Sequence, residues 1–175
     1  PGPGGPSGDV LTGVFLDNAV AGLHYETPTQ SGVTDDEGTF RYGTGETVVF
    51  SIGAAVLGQT EGAPVVTPLD LVPGSTDVTH PMVTRICRLL QGLDRDDDLR
   101  NGIRIPEEAG ELAGAWNLDV TENDAEFRTA AQGLLSALHR NGVFAETRSL
   151  PPAEQARDHM RTDRKSTRLN SSHYS

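Results

Sequence analysis

The spacing of the hydrophobic residues changes part-way along this chain. Between residues 10 and 66, apolar and polar residues alternate, as in "ETVVFSIG", where Val48, Phe50 and Ile52 fall on one side of a strand. Short alternating runs are separated by "TPTQSG", "DDEG" and "GTGE", which contain the Gly and Asp residues that tight turns favour. We therefore predict a small antiparallel β-sandwich over residues 10–72.

The spacing becomes helical after "TPLDLVPGSTD". In "DVTHPMVTRICRLLQGLD", apolar residues recur every three or four positions, and Pro81 falls in the first turn, where its missing N–H costs nothing. A second helix is predicted from a Thr121 cap, with Asp124 at the capping-box position, to Asn141–Gly142. A third helix is expected at "PPAEQARDHMRT". Because strands come first and helices second, the fold class is predicted to be α+β, with a helical extension over residues 73–162.

Both ends of the chain differ in composition from the middle. Residues 1–9 begin "PGPGGPSG", have no hydrophobic period and are predicted to be a flexible linker. Residues 163–173, "DRKSTRLNSSH", resemble the translation of a sequencing adapter and contain Lys165, the only lysine of the chain. We expect residues 163–175 to be an artefactual tail that packs against nothing, so that the helical region is truncated after Thr162.

Charge excludes one class of partner. The formal net charge is −11, and such an acidic protein repels nucleic acid, because phosphate contacts need Lys and Arg.

No apolar run reaches the roughly 20 residues that a membrane-spanning helix requires, so no membrane span is expected in this fragment. The single cysteine, Cys87, lies among the apolar residues of the first predicted helix and is expected to be a small buried hydrophobic residue.

The strand region resembles a known family. "TGVFLDNAVAGLHYETPTQSGVTDDEGTFRY" followed by "GETVVFSIG" is similar to the carboxypeptidase-regulatory-like, transthyretin-like modules of uncharacterised bacterial surface lipoproteins, over about residues 10–58. The hallmark T-D-x-x-G-x-F hairpin corresponds to Thr34, Asp35, Gly38 and Phe40. We expect Asp35 to bond the turn backbone, Gly38 to adopt positive φ, Phe40 to point inward, and "SGVT" to pair with "TFRY".

The resemblance implies a prealbumin-like sandwich and an exported protein, whether periplasmic, anchored to the outer membrane or extracellular. It also implies a non-catalytic module of a cell-surface protein or lipoprotein, with a structural or adhesive role and an unknown protein or glycan partner. The alternative is an accessory domain of a secreted hydrolase whose catalytic domain is missing from this fragment. No G-x-S-x-G, G-x-G-x-x-G or H-E-x-x-H motif occurs, so no catalytic or cofactor-binding residue is predicted.

One stretch has the residues of a metal site. In "LDRDDDLRNGI", oxygen-bearing side chains alternate as they do at the start of a calcium loop. The match then fails, because Leu99 stands where the sharp turn needs Gly and Ile105 stands where a bidentate Glu belongs. The alternatives are a weak Ca²⁺ site and a solvated acidic turn at a helix end. The candidate ligands are Asp94, Asp96, Asp98 and Asn101.

Overall fold

The computed structural model describes residues 9–96 and 98–161, without the side chain of Leu99. The predicted α+β class is confirmed, since this part of the chain contains both sheets of antiparallel strands and α-helices. The strands are β1 (Val10–Phe15), β2 (Val20–Ala21), β3 (His24–Glu26), β4 (Ser31–Val33), β5 (Thr39–Gly43), β6 (Thr47–Ile52), β7 (Ala55–Glu61), β8 (Val65–Val66) and β9 (Ile103–Arg104). The helices are α1 (Pro81–Gly92), α2 (Glu107–Ala113), α3 (Asp124–Arg140) and α4 (153–161).

The strands of the first half form two main sheets. One is fully antiparallel and has the order β4-β3-β6-β7. The other has the order β5-β1-β8, in which β5 is antiparallel to β1 and β8 is parallel to it. The parallel pair departs from the purely antiparallel arrangement that we predicted from the alternating runs.

Aromatic side chains of the two sheets meet in the core. The ring of Phe50, in β6, lies 4.9 Å from that of Phe15, in β1, and 5.1 Å from that of Phe40, in β5. Tyr25, in β3, lies 6.0 Å from Phe40. Tilted and edge-on rings at these separations attract each other in addition to the apolar area that they bury, so this cluster holds the two sheets together.

The connection at residues 34–40 confirms the predicted local geometry but not the predicted pairing. The Oδ1 atom of Asp35 accepts the N–H groups of Glu37 and Thr39 at 3.0 and 2.9 Å, and Gly38 has a φ of +80°. Phe40 is fully buried. The expected "SGVT"–"TFRY" hairpin is wrong, because β4 pairs with β3 and β5 pairs with β1. The connection therefore leads the chain from one sheet to the other.

The helical half follows the predicted periods with two exceptions. Helix α1 begins at Pro81 as expected, and the single cysteine, Cys87, is buried in it. The cap of α3 is Asn123, whose side chain accepts the N–H of Glu126 at 2.9 Å, and not Thr121. Thr121 instead donates its hydroxyl to Asp119, two residues earlier. Helix α2 was not predicted.

The extension that was predicted to be helical also contributes a strand. β9 pairs in parallel with β2, so that Val20 lies opposite Ile103. The buried hydrophobic residues on both sides of the predicted boundary at residues 72 and 73 belong to one cluster. The division into two domains stays a prediction. The predicted linker and the predicted tail lie outside the described residues, apart from Asp9.

Replacing Gly38 by Ala should destabilise the protein by about 1–3 kcal/mol. An alanine at this position would have to adopt the left-handed backbone conformation of Gly38. Its Cβ atom would lie 2.7 Å from the carbonyl oxygen of Phe15. Gly74→Ala is the matched control, since Gly74 has a φ of +84° with nothing within 4 Å. Chemical denaturation should show a larger loss for Gly38→Ala. Equal losses would mean that the contact with Phe15 contributes nothing.

Candidate functional site

The predicted metal-binding residues lie in the loop between α1 and β9. We call residues 94–101 the acidic loop. The loop is anchored at its start by Leu93, which is fully buried after the last turn of α1, and at its end by β9. Because both ends are fixed by packing, the position of the first carboxylate, Asp94, is set by the core and not by solvent.

Asp94 is a fully buried carboxylate. Its Oδ1 atom accepts the N–H of Arg104 at 2.9 Å, and its backbone carbonyl accepts a hydrogen bond from the guanidinium of Arg148. The Oδ2 atom has no hydrogen-bond partner among the described residues. A buried carboxylate oxygen without a partner is costly, and a proton or a cation at this atom would lower that cost.

The pKa of Asp94 is raised from its ordinary value of 3.8 to about 6. The main cause is burial, which disfavours the charged form. The N–H of Arg104 opposes the shift, whereas the negative charge of Asp96 adds to it. Interaction with the Asp96 carboxyl group also raises the pKa of Asp94.

The side chain of Asn101 binds that of Asp96, whereas the side chain of Asp98 binds Arg100. The Oδ2 atom of Asp96 accepts the side-chain amide of Asn101 at 2.7 Å, and its Oδ1 atom accepts the N–H of Asp98 at 3.0 Å. The amide of Asn101 is the main cause of the lowered pKa of Asp96. Asp98 turns to Arg100, whose guanidinium donates to both of its oxygens and is the main cause of its lowered pKa.

Three of the four predicted ligands are therefore brought together, and the fourth is occupied by Arg100. Among the described residues, no group of three or more His, Cys, Asp and Glu side chains is arranged to hold a metal ion. Asp97, between Asp96 and Asp98, lies outside the described residues. The calcium site stays a prediction, and its best-placed carboxylates are those of Asp94 and Asp96.

A second buried polar group was missed from the sequence. Asp17, which follows β1, is fully buried, and its Oδ2 atom accepts the side-chain amide of Gln91 at 2.9 Å. The same amide also donates to the carbonyl of Ala156 in α4, at 3.2 Å.

The Cys87 thiol is a poor nucleophile, because its pKa is raised well above its ordinary value. The main cause is burial, and the second cause is the negative charge of Asp17.

A groove beside Trp116 was also missed. The indole is 36% exposed and lies at the end of the short turn that follows α2. It borders a groove with a volume of about 440 Å³, whose lining includes Asp119, Glu122 and Glu126. A single tryptophan carries no pattern, so the only signal in the sequence was its presence among acidic residues in "AWNLDVTENDAEF".

Comparisons with family models, curated proteins and solved structures find no match to the chain. The family resemblance of the strand region is therefore a proposal that depends on its residues alone. No helix in the described part of the chain is long and apolar enough to cross a membrane.

Asp94→Asn should stabilise the protein at pH 7 by about 1–2 kcal/mol in the presence of EDTA. The folded state binds the Asp94 proton more tightly than the unfolded chain does, so Asp94 lowers the free energy of unfolding as the pH rises from about 4 to about 6. The amide of Asn still accepts the N–H of Arg104 and can donate to Asp96 without titrating.

The measurement is the difference in unfolding free energy between the variant and the wild type across pH 4–7. This difference reports Asp94 together with its interaction with Asp96, because the two proteins differ only at residue 94. It should grow as the pH rises from about 4 through about 6 and level off at about pH 7. The matched control Glu154→Gln removes one carboxylate at an exposed residue. A constant difference would mean that Asp94 titrates normally.

Proposed function

We propose that the chain is a calcium-stabilised, non-catalytic module of an exported bacterial cell-surface protein or lipoprotein, with a structural or adhesive role. The observation that carries the proposal is the buried Oδ2 atom of Asp94, which has no hydrogen-bond partner among the described residues and belongs to a carboxyl group on which the negative charge of Asp96 acts. A cation between these two carboxylates removes their repulsion and supplies the missing partner.

Oxygen ligands of this kind suit a hard divalent cation. Asp94 and Asp96 offer carboxylate oxygens, and a half-turn of the Asn101 amide presents its oxygen in place of its nitrogen. With only two carboxylates, affinity is on the order of 10⁻⁴–10⁻³ M, as in extracellular modules. Occupancy at this affinity needs the high calcium concentration found outside cells, which connects the acidic loop to the proposed export.

The scaffold in this proposal is a prealbumin-like sandwich of the carboxypeptidase-regulatory-like type. Its support is the connection at residues 34–40, where Asp35 bonds the turn backbone, Gly38 takes the left-handed conformation and Phe40 enters the core. In the resembled family this motif belongs to a rigid module without catalytic residues. A rigid module fits a role in which the chain supports or presents a binding surface.

Addition of 10 mM Ca²⁺ to the full chain should raise its melting temperature by roughly 3–5 °C, for a dissociation constant of about 1 mM. Mg²⁺ should have a smaller effect, because it demands stricter octahedral geometry than this loop offers. Differential scanning calorimetry at pH 7.5, starting from the EDTA-treated protein, measures both shifts.

The double variant Asp94→Asn/Asp96→Asn should lose the calcium shift. Its matched control is Glu146→Gln/Glu154→Gln, which removes the same charge at two exposed residues and should keep the shift. If the wild type and both double variants respond equally to Ca²⁺, the acidic loop is a solvated turn and the calcium-stabilised module is rejected.

A further inference from the structure

The indole of Trp116 lies against α3. It packs against the backbone at Gly133, where an added Cβ would lie 2.5 Å from the indole Cε3 atom. Any larger residue at position 133 would therefore displace the ring. A partly exposed aromatic ring that is fixed by close backbone packing is a preformed surface for a ligand, because little conformational entropy is lost on binding.

The groove beside this ring is negatively charged. Glu122 and Glu126 are four residues apart in the sequence and both line the groove, and interaction with the Glu126 carboxyl group, through hydrogen bonding and then through charge, raises the pKa of Glu122. Asp119 lies in the same groove and contributes in the same direction. Two carboxylates in contact repel each other unless a proton or a cation lies between them.

No cation of the described chain resolves this repulsion. Within residues 9–96 and 98–161, no Arg or His lies within salt-bridge distance of Glu122 or Glu126. The guanidinium of Arg85 approaches this region, but its Nη1 atom binds Asp124 at 2.7 Å and its Nε atom donates to the carbonyl of Val120 at 2.7 Å. Among the described residues, the carboxylates of Glu122 and Glu126 thus have no ion-pair partner, and they lie beside a partly exposed indole.

We propose that the Trp116 groove binds the side-chain ammonium group of a lysine from a partner protein. The ammonium group carries three N–H donors, which suits the paired carboxylates of Glu122 and Glu126. A cation is also attracted to the face of an indole, and the methylene groups of a lysine can pack on the apolar lining, where Ala125 and Ala130 lie. Ca²⁺ can use the carboxylates but gains nothing from the apolar lining. This site is independent of the acidic loop.

The test uses the full chain and follows the fluorescence of Trp116, the only tryptophan. The probes are the peptide Gly-Gly-Lys-Gly-Gly, the same peptide with an acetylated lysine, and free pentylamine, all at constant ionic strength. The lysine peptide should give a saturable change, and the acetylated peptide should give none. Binding of pentylamine without binding of the lysine peptide would overturn the assignment to a protein partner.

Glu122→Gln/Glu126→Gln should weaken binding of the lysine peptide about five- to tenfold while leaving the melting temperature equal or higher, since it removes a repulsion. The control Glu146→Gln/Glu154→Gln should leave binding unchanged. Gly133→Leu should weaken binding by displacing the indole. Equal affinity in all these proteins, or equal binding of the acetylated peptide, would overturn the proposal.

Discussion

Asp94 connects the helical and the strand-forming parts of the chain through hydrogen bonds. Its side chain accepts the N–H of Arg104 in β9, and β9 pairs with β2, while its backbone carbonyl accepts a hydrogen bond from Arg148 near the start of the last helix. A charged group is costly in such a buried position. The same carboxylate therefore organises the fold and leaves one oxygen whose cost can be offset by a proton or a metal ion.

The aromatic cluster between the two sheets provides the other half of this arrangement. Phe15, Phe40 and Phe50 lie in three different strands. The turn at Gly38 places Phe40 in this cluster. Asp17, directly after β1, is bound by Gln91 of α1, so the sheet core and the helices also meet at a second buried carboxylate. Fully buried polar groups that are hydrogen-bonded in this way favour one packing arrangement over others.

The elements that could be predicted are those with local signals. The alternation of apolar and polar residues predicted the strand that contains Phe50. The helical spacing of apolar residues, together with Pro81, predicted α1. Strand partners could not be predicted in the same way. At least 24 residues separate the paired residues of β1 and β5, and no local sequence signal specifies which strand β5 pairs with. β9 has two residues, which is too short for any period, and its strand conformation depends on β2 and Asp94.

The candidate sites show the same division. Alternating acidic residues pointed to Asp94, Asp96 and Asn101, and the structure brings them together. Asp98 has the same residue type and spacing as Asp94 and Asp96, but its side chain binds the guanidinium of Arg100, two residues away. Burial of Asp94 and the contact of Trp116 with Gly133 are tertiary effects, and neither the type of these residues nor their spacing reveals them.

The central claim is that the two parts of the chain form one cooperative structure joined at Asp94. Native-state amide hydrogen exchange of the full chain tests it most directly, by comparing the core amides of β6 with those of α1 as denaturant is increased. The account predicts that both sets exchange through the same global unfolding, with equal free energies and equal denaturant dependence. If the α1 amides exchanged through a separate opening of lower free energy, the helical part would be an independent unit and the claim would be contradicted.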